Sequence, residues 1–315
     1  MLIVEGPPKS ELPACTLALG NFDGVHKGHR VVLDAALEKA REAGLAPAVA
    51  VFDPHPRRFF QPDSPPFRLM DDVQQADAIR ELGFERLHVL PFNTAMSRMM
   101  PREFAETVLT GWAHASHVFV GADFEFGKGR SGDVRILAGI GSQIGFGVTG
   151  VTLKSNGDEK ISSSGIRQAL EAGDIDAARQ LLGRPWIVRG EVEQGDQRGR
   201  TIGFPTANIS LGDYCRPAFG VYAVRIRIDS RLHDGVANVG RRPTFDGTTE
   251  RLEVHVFDFA ADIYGQMVNV EFVRFLRPEQ KFNGLDALKA QIGQDAIAAR
   301  SVLGADATDE GSTKP

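Results

Sequence analysis

The chain has 315 residues, 42% hydrophobic and 24% charged, a balance that argues against disordered and fibrous classes and a length that points to more than one core. Its formal net charge of −5 argues against a broad nucleic-acid footprint, so any phosphate chemistry has to come from locally placed donors. No run of about eighteen apolar residues is available to span a membrane.

The segment from Met1 to Pro13 is acidic and proline-bearing, without the basic and apolar regions of a signal peptide. Cys15 and Cys215 lie far apart and have no zinc-like neighbours, which reads as two reduced thiols in a cytoplasmic protein.

From Thr16 to about Gly183, short apolar runs alternate with amphipathic segments. Cys15–Leu19, Pro47–Phe52, Arg86–Pro91, His117–Gly121 and Gly147–Leu153 read as buried strands. The spacing predicts a helix over His29–Ala43, with Val32, Leu33, Ala36, Leu37 and Ala40 on one face and Gly44 as its stop. Asp71 is the expected cap of a second helix with Val73, Ala76, Ile79 and Leu82 inward and Gly83 after it. Pro101 and Asp133 open a third and a fourth. Strand–helix alternation of this kind implies a parallel sheet covered on both faces, a doubly wound, Rossmann-like α/β domain.

Two short helices, Gly165–Ala172 after Ser162 or Ser163 and Ile175–Leu182 after Asp174, are expected to close that domain. Beyond Gly183 the texture changes. Trp186–Val192, Gly220–Ile228, Gly235–Asn238, Leu252–Phe259 and Met267–Leu276 alternate apolar and polar residues between Gly, Asp and Pro turns, an antiparallel, barrel-like pattern. A last helix is expected near Gly284–Leu303, with Asp286 in its cap or first turn. The expected domains are therefore 1–183 and 184–303, followed by a disordered tail, 304–315.

The first strand runs into Gly20-Asn21-Phe22-Asp23-Gly24-Val25-His26-Lys27-Gly28-His29, directly before the first helix. Glycines there let the backbone approach a ligand, and the helix start offers N–H groups to an anion. His26 and His29 then project at the same phosphate, where imidazoles stabilise charge on an α-phosphate and a departing pyrophosphate. A turn with a surface histidine is the bland alternative, and a metal pair drawing on His55 is another. Ile161-Ser162-Ser163-Ser164-Gly165-Ile166-Arg167 offers hydroxyls and a guanidinium at a later helix start, suited to a polyphosphate or, more simply, to capping. Gly127-Lys128-Gly129-Arg130-Ser131-Gly132 matches a dinucleotide fingerprint only formally, because no acidic residue follows about twenty positions on.

These segments resemble the HxGH-type nucleotidyltransferases. The fuller forms are similar to the bacterial bifunctional riboflavin kinase/FMN adenylyltransferase family, or FAD synthetases. Phe52-Asp53-Pro54-His55-Pro56 and Gly121-Ala122-Asp123-Phe124-Glu125-Phe126-Gly127 match two further blocks of that family. The resemblance implies that Gly20, Phe22, Asp23, Gly24, His26, His29, Ser163, Ser164 and Arg167 serve ATP, and that Asp53, His55 and Asp123 lie on the FMN side. Glu125 departs from the pattern, which often has a basic residue there.

In the second half, a glycine- and arginine-bearing stretch, Gly195 to Gly203, can wrap a nucleotide. Thr206 and Asn208 alternate to one face of a strand and suit Mg²⁺, which takes oxygen ligands; an ordinary hairpin is the alternative. Gly-Arg-x-x-Gly-Phe-Pro-Thr-Ala-Asn, Gly220-Val221-Tyr222, Asn238 to Phe245, Glu253-x-His255 and Tyr264-Gly265 follow the order of a riboflavin kinase module. The resemblance implies a Greek-key-like β-barrel in which Gly195, Arg200, Gly203, Thr206 and Asn208 face Mg–ATP and flavin and Glu253 is the general base. It implies phosphorylation of riboflavin to FMN and adenylylation of FMN to FAD, with ATP as co-substrate, Mg²⁺ as cofactor, and no nucleic acid or membrane partner. Loss of one activity, a different nucleotidyltransferase substrate and a flavin carrier are the competing readings.

Overall fold

The computed structural model describes residues 1–152, 155–156, 159–194, 203–244 and 247–311. The chain forms two compact units, Met1–Pro65 with Asp72–Ser162, and Pro66–Asp71 with Ser163–Pro315.

In the first unit, a six-stranded parallel sheet has the order β1-β4-β3-β2-β5-β6. Its strands are β1 (Leu2–Glu5), β2 (Cys15–Leu19), β3 (Ala46–Asp53), β4 (Arg86–Pro91), β5 (Ala115–Gly121) and β6 (Gly147–Val151). Cys15 to Leu19 are all buried, as a central parallel strand covered on both faces requires. α1 (Lys27–Ala43) buries Val32, Leu33, Ala36 and Ala40 and ends at Gly44, whose φ of 64° is the left-handed stop the sequence indicates. Burial of Val32 and Leu33 contributes about 1.5–3 kcal/mol each, and of the two alanines less.

α2 (Pro56–Phe60) and α3 (Asp72–Glu81) lie between β3 and β4 in the chain. α3 buries Ala76 and Ile79, but Val73, expected inward, is 48% exposed because it sits in the first turn, off the packed face. α4 (Thr94–Arg98) and α5 (Pro101–Phe104) follow, and α5 continues as a π-helical segment, Ala105–Trp112. α6 (Val134–Ile144) is capped by Asp133, whose carboxylate accepts from the Ile136 N–H at 2.7 Å.

In the second unit a closed antiparallel barrel runs β10-β13-β12-β11-β14-β9. Two-residue strands β7 (Ser155–Asn156) and β8 (Glu159–Lys160) precede it in the chain, in the first unit. The barrel strands are β9 (Trp186–Glu193), β10 (Ala207–Ser210), β11 (Gly220–Ile228), β12 (Arg231–Thr244), β13 (Gly247–Val256) and β14 (Met267–Pro278). Trp186, Tyr222 and Phe272 fill the interior, with ring centroids 4.8 Å (Trp186–Phe272) and 5.0 Å (Tyr222–Phe272) apart.

α7 (Ser163–Glu171) and α8 (Ile175–Leu182) belong to this unit, although the sequence assigned them to the first domain. Ile166, Leu170, Ile175, Ala178 and Leu182 join the barrel's core cluster, so their apolar faces decide their allegiance. The strap Pro66–Asp71 is tied on by Arg68 N–H to Asp213 O (2.9 Å), Cys215 N–H to Arg68 O (2.8 Å) and Trp186 Nε1 to Leu69 O (2.9 Å).

α9 (Leu285–Gly311) covers Val221, Ala223, Val236 and Val273 on the barrel's outer wall through Ala299 and Leu303. The expected tail thus begins later than Gly304. Arg225, 6% exposed, meets Asp306 at 2.7 Å and the Leu303 carbonyl at 3.2 Å, and Arg179 meets Asp306 at 3.1 Å. A buried guanidinium needs those acceptors, and supplying them extends the helix.

Candidate active sites

In the first unit, the order of the sheet reverses at β2. The connection through β3 and β4 builds outward on one side, while β5 lies on the other. The loops leaving β2 and β5 therefore part and open a crevice beyond the carboxyl ends of the strands, where ligands of open α/β sheets bind.

The β2 loop turns tightly, with Phe22 at φ 47°, Gly24 at φ 89° and Val25 at φ 38°, and with the Val25 N–H donating to Phe22 O at 2.9 Å. A β-branched residue at positive φ is a strained conformation of a kind found at functional sites. Phe22 and Asp23 are buried, and Gln75 Nε2 pins the loop by donating to Asn21 O at 2.8 Å.

His26 is the N-cap of α1, and its Nδ1 accepts from the His29 N–H at 3.2 Å. That acceptor role places the ring proton on Nε2, so His26 carries a donor on its other edge. The His26 and His29 rings stack at 3.6 Å, and Phe22 meets His29 edge-on at 5.3 Å. Gly28 is required between them: a β-carbon there would lie 2.8 Å from Ile161 O and 3.0 Å from His26 Cε1.

Beside this loop lies a cleft of about 1010 Å³ whose lining includes Gly20, Asn21, His55, Arg57, Asp123 and Arg130. Its apolar wall is aromatic, with Phe52, Phe60, Phe92, Phe104, Phe124 and Phe126. Phe92 meets Phe52 at 5.6 Å and Phe60 at 5.7 Å, and Phe124 stacks on Phe126 at 5.6 Å. Such a surface suits a flat, apolar ring system with a polar rim. Of these, Phe52, Phe124 and Phe126 fall within the motif blocks, and no contiguous stretch of sequence gathers the six as a wall.

His55 and Asp123 come together in the cleft, whereas Asp53, exposed at the end of β3, is not among its lining residues. His55 caps α2 by accepting from the Arg57 N–H at 3.1 Å. Glu125 meets Arg130 at 3.5 Å on the exposed rim. The Gly127–Gly132 stretch forms a small hairpin closed by paired bonds between Phe126 and Gly132, and Asp133 then caps α6.

In the second unit, α7 starts at Ser163. Arg167 donates from Nε to Phe67 O at 2.6 Å and lies 5.5 Å from the Phe67 ring centroid.

On the barrel, Thr206 and Asn208 share the wall of a pocket of about 350 Å³ with Val254, Phe259 and Tyr264. Asn208 is buried, and its Nδ2 donates to Thr206 O at 3.4 Å, which turns Oδ1 the other way. Glu253 stands directly opposite Asn208 on β13, on the wall facing away from the interior residues Leu252 and Val254.

His255 Nδ1 donates to Pro205 O at 2.8 Å and its ring meets Phe204 at 5.3 Å, so it anchors the Phe-Pro-Thr-Ala-Asn turn. In the sequence this histidine is marked only by its place in Glu253-x-His255. Gly203 is exposed at φ 89°, and Gly195 and Arg200 lie outside the described residues.

Among the described residues, no group of three or more His, Cys, Asp or Glu side chains could hold a metal ion, and no helix is long and apolar enough to cross a membrane. Cys15 and Cys215 are free and buried.

Both halves of the chain match known families. The family model for FAD synthetase matches residues 9–165 and that for riboflavin kinase matches residues 182–303. The chain is 39% identical over 291 residues to the bifunctional riboflavin kinase/FMN adenylyltransferase of Escherichia coli K12, covering 92% of this chain and 93% of that protein. It is 39% identical over 293 residues to the protein of the same name from Bacillus subtilis 168, covering 91% and 92%. A crystal structure described as a macrolide-efflux protein from Streptococcus pneumoniae superposes with a TM-score of 0.85 at 32% identity, covering 95% of this chain and 99% of that one.

Proposed function

The chain belongs to the bifunctional riboflavin kinase/FMN adenylyltransferase family, and from that premise we propose how its residues divide the work. It phosphorylates riboflavin to FMN with ATP and adenylylates FMN to FAD with a second ATP, releasing pyrophosphate.

The observation that carries the assignment of the adenylyl step is the stacked His26–His29 pair at the start of α1, at the reversal of the sheet. An FMN phosphate oxygen attacks the α-phosphate of ATP, the bond to the β-phosphate breaks, and pyrophosphate departs. The Nε2–H of His26, the His29 imidazole and the first N–H groups of α1 face the charge that develops. Gly20, Phe22, Asp23 and Gly24 shape the loop against the nucleotide. Ser163, Ser164 and Arg167 keep the polyphosphate role that the family resemblance implies. FMN lays its ring system against the phenylalanine wall, with His55 and Asp123 at the rim; Asp53 contributes through the turn it starts and not through the cleft surface.

In the barrel, Glu253 takes the proton from the 5′-hydroxyl of riboflavin, that oxygen attacks the γ-phosphate, and ADP leaves. Thr206 and Asn208 fit Mg²⁺, since they offer neutral oxygens on one pocket wall and the Asn208 amide nitrogen is already turned toward Thr206 O. When bound there with ATP, Mg²⁺ supplies positive charge against the phosphates. Gly195, Arg200 and Gly203 belong to the loop assigned to the same nucleotide.

Two variants test the division. Glu253→Gln should abolish most FMN formation while FMN-to-FAD conversion stays within twofold of wild type, and His29→Ala should do the reverse. Full kinase turnover in Glu253→Gln, or full FAD synthesis in His29→Ala, would overturn the corresponding assignment.

A further inference from the structure

The rim of the aromatic cleft carries guanidiniums and carboxylates in balance. Among its lining residues Arg57 and Arg130 stand against Asp123 and Glu125, so their formal charges cancel. A phosphate monoester brings about −1.5 to −2 charges at pH 7. A cleft without net charge has to recognise it through a cation in a particular place.

The backbone places Arg130 at a conformational cost. Arg130 has φ 57°, next to Gly129 at φ 64°, in the left-handed region where glycine is at ease and arginine is not. Strain of that kind is kept where the side chain has a use.

The hairpin around it has little freedom. Phe126 and Gly132 exchange backbone bonds at 3.0 and 2.9 Å, the Lys128 N–H donates to Met99 O at 2.8 Å, and the Arg130 N–H donates to Gly127 O at 3.0 Å. A β-carbon at Gly127 would lie 2.9 Å from Pro101 Cγ, and one at Gly132 would lie 2.6 Å from the Phe126 ring. The same hairpin region supplies Phe124 and Phe126 to the cleft wall.

The guanidinium itself is loosely engaged. Its Nη1 lies 3.5 Å from Glu125 Oε2, longer than a charge-assisted hydrogen bond, and the two side chains are 81% and 55% exposed. An exposed pair of this kind contributes little and exchanges readily for a doubly charged phosphate.

We propose that Arg130 binds the phosphate of FMN in this cleft and so selects FMN over unphosphorylated flavins, with Glu125 as the internal counter-charge that the phosphate displaces. This rests on the reading of the cleft as the FMN site. Gly20 and Asn21, which lead into the His26 turn, line the same cleft, so a phosphate held by Arg130 stays on the side of the adenylyl transfer. The contact exists in the bound substrate as well as in the transition state, so it acts on affinity and not on turnover.

The test uses the full-length enzyme and compares Arg130→Gln, Arg130→Lys, Glu125→Gln and Phe60→Ala in FMN adenylylation. For each, kcat, KM for FMN and for ATP, and the inhibition constant of lumiflavin against FMN are measured. Lumiflavin has the flavin ring system but neither a phosphate nor a hydroxyl chain for the kinase to use. Arg130→Gln should raise KM for FMN by about 5- to 20-fold, between the effect of an exposed ion pair and that of a charge-assisted hydrogen bond. Its kcat and KM for ATP should stay within about threefold and lumiflavin inhibition within about twofold. Arg130→Lys, which keeps the charge and loses the fork, should stay within about threefold of wild type in KM for FMN. Glu125→Gln should lower KM for FMN by about 2- to 5-fold, an effect that shrinks at high salt.

An unchanged KM for FMN in Arg130→Gln, with Phe60→Ala weakening both FMN and lumiflavin, would overturn this inference and leave the cleft as the flavin site. A rise in KM for ATP in place of FMN, or an equal weakening of lumiflavin, would also overturn it, because the arginine would then serve the nucleotide or the ring. A rise in KM for FMN in Glu125→Gln would overturn the counter-charge. FMN and lumiflavin both unaffected by Phe60→Ala would remove the cleft as the flavin site, and this inference with it.

Discussion

Gly28→Ala separates the histidine geometry from the rest of the enzyme. The added carbon would lie 2.8 Å from Ile161 O and 3.0 and 3.1 Å from Cε1 and Nδ1 of His26. Carbon–oxygen contacts settle near 3.3 Å or beyond, so the start of α1 or the His26 ring has to shift by about half an ångström. Relieving the crowding stretches the bond from the His29 N–H to His26 Nδ1, now 3.2 Å. A misplacement of about 1 Å at a reacting group costs about 100-fold, so half of that should lower FMN adenylylation by roughly 10- to 100-fold. Stability moves less. Alanine gains about 1 kcal/mol of helix propensity over glycine, a weakened cap costs about 1 kcal/mol, and crowding costs about 1–3 kcal/mol. The assay is FAD formation from FMN and ATP, with FMN formation from riboflavin as the internal control. Adenylylation within twofold of wild type would refute the placement of the stacked pair at the reaction.

Phe60, 64% exposed on the wall of the aromatic cleft, gives a test of the flavin surface at little cost to the fold. If FMN stacks there, Phe60→Ala should raise KM for FMN by about 2- to 12-fold, the equivalent of a 0.5–1.5 kcal/mol aromatic contact, and leave kinase KM for riboflavin unchanged. Burial, reinforced by Arg86 and His114, pushes His88 down to about 4, and neither ring nitrogen has a hydrogen-bond partner. The unfolded chain takes up this proton below about pH 6.5 while the folded one resists until about 4, so stability should fall by roughly 3 kcal/mol across that window as pH drops. His88→Leu should flatten that part of the melting-temperature profile, and an unchanged slope would contradict the assignment. A chain ending at Leu303 removes Asp306 from Arg225 and Arg179; it should lower the stability of the second unit by about 2–4 kcal/mol in chemical denaturation, and an unchanged midpoint would show the extended helix to be idle.

The elements that the sequence placed well are those whose burial is complete or whose ends are capped by short-range chemistry. Cys15–Leu19 is an unbroken buried strand, and Asp133, Asp174 and Gly44 mark helix ends through local bonds. β1 was missed because it is four residues long at the sheet edge, with Leu2 and Ile3 about half exposed, so its pattern resembles a loop. β12 was shortened to Gly235–Asn238 because Gly240, Arg241, Arg242 and Pro243 break the alternation, though pairing with β13 runs through to Thr244. α7 and α8 read as closing the first domain because sequence order favours the preceding sheet, whereas their apolar faces join the barrel core.

At the sites, the motif residues were legible because contiguous segments carry them. His26 and His29 are three positions apart on one helix start, and Thr206 and Asn208 are two apart at the start of one strand. The phenylalanine wall was not legible as a unit, since Phe52, Phe92 and Phe124 leave different strands and meet only through the order of the sheet. The opposition of Asn208 and Glu253 depends likewise on register, which no single segment encodes.

The most direct measurement is a time course of purified protein with riboflavin, ATP and Mg²⁺, with the flavins separated chromatographically. The account predicts FMN first and FAD after it, with pyrophosphate released in step with FAD. FMN alone would contradict the adenylyl assignment of the first unit, and bound riboflavin with no product would make the protein a flavin carrier and contradict the account as a whole.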